Sequence, residues 1–332
     1  MRSRTGYIEL IVCGLVWGSI GVLVKEIDVS APVTVFFRLA LGAASVVAVW
    51  AFRGRVSELR IARDRGLVVF AGLTLAFHWV VFFEAYKRLP VATTILIVYV
   101  GPVLIAAAAP AVLGERLERS TLYALALSVG GIALIAVPSS GSGDGWGYLA
   151  AAAAALTFAV VVLTLKRVSP ENPPQAIVSW QLGIAALVVS PFLFGASGQE
   201  IVRAAPTLLT LGIVHTGLTG ILYVGALQII KAQHASILVY LEPVTAVLWA
   251  WAVLGEQPEL ATVAGGALII AAGLMIVVPG LRAVPPAAMP EPVRTRAESA
   301  TMRRGSTTCS RAPSSSSGGA EPCRASCASS RA

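Results

Sequence analysis

The sequence predicts an all-α integral membrane protein of ten transmembrane helices, arranged as two inverted five-helix repeats, and three observations lead there. Of the 332 residues, 56% are hydrophobic and 13% charged, against roughly 25% charged in globular domains. The mean hydropathy is +0.79, and the apolar residues gather in runs long enough to cross hydrocarbon. The two halves of the chain also match each other at a single offset. A pair of water-soluble domains, which this length would otherwise suggest, is excluded.

A helix must cover roughly 30 Å of hydrocarbon at about 1.5 Å per residue, so runs of about 17–25 apolar residues are required. Ten occur, at 6–24, 31–51, 66–86, 91–113, 120–138, 147–166, 174–194, 206–226, 234–254 and 260–279. The first follows Met1-Arg2-Ser3-Arg4 as a signal peptide would, but it runs some 19 residues without an A-x-A exit and reads as an uncleaved span. Pro32, Pro90, Pro170, Pro173, Pro174, Pro206, Pro258 and the Ser139–Gly145 loop fall where helices are expected to break.

The formal charge of +8 is a matter of topology rather than of a nucleic-acid partner. With the amino terminus inside, one face carries Arg2, Arg4, Arg53, Arg55, Arg60, Arg63, Arg65, Arg116, Arg119, Lys166, Arg167 and Lys231. The other carries only Lys25, Lys87, Arg88 and Arg203, with Lys87-Arg88 as the local dissent. Both termini are therefore expected to be cytoplasmic. Cys13 lies in the first span, and Cys309, Cys323 and Cys327 lie in the tail, with neither a disulfide framework nor zinc spacing, so no metal or cofactor is expected. Residues 282–332, rich in Pro, Ser, Ala and Arg, cannot bury a core and read as a disordered tail. Its arginines suit anionic lipid headgroups, but an extension without function is the plainer reading.

One ungapped offset of 141 residues pairs Lys25 with Lys166, Pro32 with Pro173, Ala85 with Ala226, Tyr99 with Tyr240, Pro102 with Pro243, Val112-Leu113-Gly114-Glu115 with Val253-Leu254-Gly255-Glu256, and Pro138 with Pro279. Ala and Val matches are cheap in this composition, so the Lys, Pro, Tyr and Gly-Glu pairs carry the argument. The repeats occupy 1–140 and 141–281, and because each holds an odd number of spans the second enters the membrane inverted. Such repeats build secondary transporters with a site at the repeat interface. Gly14 with Gly18 and Ala126 with Gly130, at spacing four, mark expected close helix contacts.

The first half contains Gly14-Leu15-Val16-Trp17-Gly18-Ser19, Phe36-Phe37-Arg38-Leu39-Ala40, Ala85-Tyr86-Lys87-Arg88-Leu89-Pro90-Val91-Ala92, Tyr99-Val100-Gly101-Pro102-Val103 and Leu113-Gly114-Glu115-Arg116-Leu117. The second contains Ala226-Leu227-Gln228, Leu241-Glu242-Pro243-Val244 and Leu254-Gly255-Glu256. In order and in duplication this resembles the EamA-type transporters of the drug/metabolite transporter superfamily over residues 6 to about 280. The resemblance implies a prokaryotic plasma-membrane carrier, commonly an exporter of amino acids or other small metabolites, with a central cavity and spans 5 and 10 at the periphery.

An Arg at the centre of a span costs about 2.5–3.5 kcal/mol on insertion scales, so polar groups kept there need a partner or a role. Arg38, roughly 10 Å deep by helical rise, reads either as the counter-charge of a substrate carboxylate or as a structural Arg bonded to carbonyls; the resembling motif also carries an Arg here. Glu242 sits mid-span where the first repeat has Gly101, and either exchanges a proton, holds a substrate amine, or bonds backbone freed by Pro243. Pro102 and Pro243 each remove a helical hydrogen bond at matching depth, exposing carbonyls to a cavity or simply kinking the helix. His78 and His215, from equivalent helices, read as proton relays or as donors to a neighbouring helix. Tyr99, Tyr240, Trp17, Tyr223 and Trp180 are expected to form an aromatic wall or to pack. Glu84 is expected in an ion pair with Lys87 and Arg88 at the outer interface first and as part of an exit path second; Glu115 and Glu256 match the resembling family's Leu-Gly-Glu element but read first as helix-end caps and loop contacts.

The function expected is a secondary transporter, not an enzyme, exporting amino acids or similar small metabolites by alternating access through the lipid bilayer. Proton coupling and a homodimer are left open. No G-x-x-x-x-G-K-[ST] occurs, so the chain is not expected to hydrolyse ATP. Efflux of cationic compounds is the alternative within transport; an intramembrane enzyme or a non-transporting receptor would leave the inverted repeat unexplained.

Overall fold

The computed structural model describes residues 2–25, 27–136, 144–194, 196–255 and 257–282. Pro138, Glu256, most of the Ser139–Gly145 loop and the 283–332 segment lie outside them. The described chain forms ten apolar helices long enough to cross a bilayer: α1 (Arg4–Val24), α2 (Ala31–Phe52), α3 (Arg65–Arg88), α4 (Thr93–Leu113), α5 (Arg119–Ala136), α6 (Gly145–Glu171), α7 (Pro174–Leu193), α8 (Gly198–Ile229), α9 (Ala232–Leu254) and α10 (Leu260–Pro279). The start of α1 and the end of α10 share one side, the near face; the opposite side is the far face.

Proline and glycine set most boundaries. Pro32 and Pro174 occupy the first turns of α2 and α7, where a missing N–H costs nothing. Gly114 and Gly255, repeat equivalents, follow α4 and α9 at φ 69° and 70°, a left-handed conformation that closes a helix end cheaply only for glycine. Pro206 corrects the expected boundary of α8. It lies inside the helix, which begins eight residues earlier than the expected 206, at Gly198. Its missing donor frees the carbonyl of the exposed Val202, one turn nearer the far face.

The packing repeats itself. α3 packs on α6 and α7 as α8 packs on α1 and α2; α4 packs on α6 as α9 packs on α1; and α2·α7, α4·α9 and α5·α10 are equivalents meeting their own counterparts. Within a bilayer such contacts rest on close approach of small residues. A Cβ on Gly18 would stand 2.1 Å from Thr245 Oγ1, so glycine there lets α1 lie on α9. Between α5 and α10, a Cβ on Gly131 would meet the Gly265 carbonyl at 2.6 Å. At the expected Ala126–Gly130 face Ala126 is instead exposed and nothing stands near a Cβ at the half-buried Gly130; the neighbouring Gly131 turns the contact one position around the helix.

Candidate functional site

Four helices depart from regular geometry at mid-depth. α1 breaks at Ser19, between helical segments Arg2–Gly18 and Ile20–Lys25. α4 breaks at Tyr99 and Val100, and α9 at Tyr240, in each case just before the repeat-equivalent Pro102 and Pro243. α8 widens into a π-helical turn at Ile213–Leu218. Breaks at this depth persist only where protein or a cavity satisfies the freed backbone. Here Tyr240 donates from its hydroxyl to the Tyr99 carbonyl at 2.6 Å, so the two repeat equivalents meet on the pseudo-twofold axis. Trp17 donates from Nε1 to the His215 carbonyl (3.1 Å) and to Thr219 Oγ1 (3.0 Å), tying α1 to the π turn.

These breaks surround a cavity of about 570 Å³ that reaches from mid-depth into the far half of the bundle, lined by every helix except α5 and α10. Its walls are largely aromatic: Trp17, Trp79, Phe82, Tyr86, Tyr99, Phe158 and Tyr223. Two charged side chains face into it. Arg38, from α2, donates from Nε to Thr216 Oγ1 at 3.4 Å and lies 5.3 Å from the centre of the Trp79 ring, a cation–π contact. Glu242 enters one residue after the start of the second half of α9, with the Tyr99 hydroxyl in hydrogen-bonding reach and Arg38 close enough for electrostatic interaction. Among the described residues no carboxylate lies within 4 Å of Arg38, so the two charges share the cavity without an ion pair. The repeat equivalent of Glu242, Gly101, instead packs tightly on Phe158.

The histidines line the cavity but are also engaged in structure. His78 Nδ1 lies 3.0 Å from the Ala154 carbonyl and 3.2 Å from Thr157 Oγ1, joining α3 to α6, with its ring stacked on Phe82. His215 Nδ1 faces the Thr210 carbonyl at 3.1 Å, and Nε2 lies 2.8 Å from the Ser19 hydroxyl at the α1 break. Because a carbonyl only accepts, Nδ1 carries the hydrogen in both rings. Two expected wall residues are elsewhere. Tyr240 is fully buried behind Tyr99, drawn there by its hydroxyl's bond across the axis. Trp180 points outward and donates to the Leu59 carbonyl at 2.9 Å. Trp79, Phe82, Phe158 and Thr216 carry no sequence signal beyond lying next to or one turn from His78, being Trp17's repeat equivalent, or lying next to His215.

Toward the near face the bundle is sealed. Tyr7, Leu10, Ala176, Leu227, Ala232 and Ala235 are buried there. Lys166, counted among topogenic charges from sequence, spends its ammonium on the end of α8, donating to the Leu227 and Ile230 carbonyls at 2.5 and 2.6 Å. Gln228 donates to the Ser169 and Asn172 carbonyls at 2.6 and 2.9 Å. Glu115 accepts from the Ala232 amide at 2.8 Å, capping α9 rather than its own helix. Tyr7 Oη lies 2.7 Å from His234 Nδ1, and Lys231 pairs with Glu118, so the first repeat is bound to the second at this end. That ammonium, hydrogen-bonded to the Glu118 carboxylate, holds it below the usual carboxylate range. At the far face Glu84 pairs with Arg88 (2.6 Å) and Lys87 (3.8 Å).

A family model for EamA-like transporters matches residues 4–137 and again 145–278, once for each half of this bundle. The chain belongs to the EamA-like transporter family. It is 27% identical over 271 residues to an uncharacterized transporter of Archaeoglobus fulgidus, covering 80% of this chain and 94% of that protein. It is 28% identical over 278 residues to the uncharacterized transporter YwfM of Bacillus subtilis, covering 81% and 93%. It is 24% identical over 271 residues to the pseudopaline exporter CntI of Pseudomonas aeruginosa, covering 80% and 94%. A crystal structure superposes with a TM-score of 0.72 at 22% identity over 83% of this chain and 98% of that one, which shows the shared fold. The chain is thus a multi-pass membrane transporter of a small molecule.

Proposed function

We propose that this transporter is a secondary carrier exporting amino acids or similar small zwitterions across the plasma membrane by alternating access. The observation that carries the reading is the pair Arg38 and Glu242, opposite charges facing one aromatic cavity from α2 and α9 without an ion pair. Charges held inside a membrane need compensation, and a ligand with one carboxylate and one ammonium compensates both. With the near face cytoplasmic, as the excess of Lys and Arg there favours, the sealed near end makes this an outward-facing state. The start of α1 and the end of α10, and with them both termini, are then cytoplasmic, and the repeats follow residues 1–140 and 141–281. The relative named as an exporter supports outward flux.

A cationic amphiphile is the second reading, favoured by the aromatic walls around Glu242. Flux into or out of liposomes of a labelled panel of amino acids and aromatic cations separates the two. The zwitterion reading predicts saturable amino-acid flux that Arg38→Ala and Glu242→Gln each abolish in folded, inserted protein. Flux of cations surviving Arg38→Ala and lost only in Glu242→Gln would establish the second reading instead.

A further inference from the structure

Glu9 is a carboxylate inside α1 that the cavity does not use. It lies five residues into the span, roughly 7–8 Å by helical rise. Its Oε2 is buried and has no hydrogen-bond partner. That oxygen stands 3.8 Å from where a Cβ on Gly225 would be, and the Pro174 ring is 3.9 Å from the same point, so it faces α8 and the start of α7.

The titratable groups around it are committed elsewhere or neutral. On α1, Arg4 donates to the Leu281 carbonyl, Tyr7 is bound to His234, and Cys13 donates to the Thr219 carbonyl at 3.5 Å. Lys166 of α6 is held by the end of α8. α7 brings Pro174. From α8 comes Tyr223, which lines the cavity and whose own hydroxyl is buried without a partner. Glu9 Oε2 and the Tyr223 hydroxyl are thus both buried and unsatisfied, on the packed helices α1 and α8, where native interiors seldom leave even one.

Repeat equivalence sharpens the contrast. Gly225, which faces Glu9, corresponds to Glu84, and Glu9 corresponds to Ala150. Each seam thus carries one carboxylate at matching height: the far one is neutralised by Lys87 and Arg88, and the near one by no described cation.

We propose that Glu9 is a proton-carrying site of the transport cycle, outside the substrate cavity and reached from it past Tyr223. The proposal rests on the transport reading above. With the near face sealed, the enclosed Oε2 of this half-buried carboxylate has no donor and no described cation beside it, so the group is assigned its proton as the neutral acid. Opening of the near face hydrates it. The acid O–H bond then breaks, the proton passes to water on that face, and the carboxylate remains until a proton from the far side, handed on by the Tyr223 hydroxyl as it takes up another, restores the acid. Each cycle moves a proton inward against outward substrate.

The full chain in lipid vesicles provides the test. Infrared spectra at neutral pH are expected to show a protonated-carboxyl C=O band that disappears in Glu9→Gln and persists in Glu242→Gln; an undiminished band in Glu9→Gln overturns the proposal. With a labelled L-amino-acid mixture as probe, Glu9→Gln is expected to lose accumulation driven by an imposed pH gradient while equal-pH exchange continues. Gradient-driven accumulation equal to the parent's would also overturn it. If the parent moves no probe, the transport reading falls on that result and the infrared band alone decides Glu9.

Discussion

Tyr99 and Tyr240 are one position of the repeat occurring twice, and the duplication places them against each other with different duties. Tyr99 lines the cavity and reaches Glu242, while Tyr240 supplies the hydroxyl that satisfies Tyr99's carbonyl at the helix break. Removing only that hydroxyl, in Tyr240→Phe, leaves the carbonyl without its donor, at a cost of about 1–3 kcal/mol. A lower Tm with substrate specificity retained is the expected outcome; altered specificity at unchanged Tm would move Tyr240 into the site. At this scale the sequence was informative about polar residues and poor about aromatic ones. Arg38 and Glu242 stand out in any apolar run because burying them needs a reason. An aromatic residue belongs equally to cavity, core or lipid, and nothing in the local pattern told Tyr240 or Trp180 from Trp17. Glu9 and His234 escaped because polar residues near span ends read as interfacial.

Among elements, span number and order followed from run length alone, and the breaks in α4 and α9 followed from Pro102 and Pro243. The π turn at Ile213–Leu218 did not, since it contains no proline and arises from the contacts of Trp17, Ser19 and Arg38 with it. Adjacent glycines hid the α5–α10 contact, because a one-residue shift rotates the face by about 100° at 3.6 residues per turn. That contact predicts that Gly131→Leu, forced into the Gly265 backbone, lowers stability by about 1–3 kcal/mol or more, read as a drop in Tm. Substrate affinity is expected to hold, because neither helix lines the cavity. The Lys231–Glu118 bridge makes a pH prediction. Glu118 is depressed in the folded state, so its contribution is complete above the ordinary carboxylate pKa of about 4.3 and is lost as pH falls through the lowered value. Glu118→Gln should therefore lower Tm slightly at pH 7, by under about 1 kcal/mol for so exposed a pair, and the difference from the parent should vanish in acid. A difference that grew on acidification would assign the bridge another role.

For the whole molecule, the inverted repeat explains both the cavity's position and the asymmetry of its two ends. The same five-helix unit meets its copy across the axis, so on the proposed alternating access a seal formed at one end would have a counterpart at the other, exchanged by a small rigid-body shift. Lys166, Gln228, Glu115 and the Tyr7–His234 pair form the seal seen here. Lys166→Met is expected to loosen it and raise near-face exposure of the cavity at rest. The central claim, one cavity exposed alternately to two faces, is tested most directly by thiol accessibility in a chain whose own four cysteines are replaced. Gly21→Cys, which lines the far end with open space around it, should react with an impermeant reagent only from the far face. Ala235→Cys, buried under the near seal, should react from neither face at rest and from the near face alone during amino-acid exchange, as Gly21→Cys becomes protected. Simultaneous reaction of both positions from one face, or sustained exchange with Ala235→Cys never labelled, would contradict alternating access.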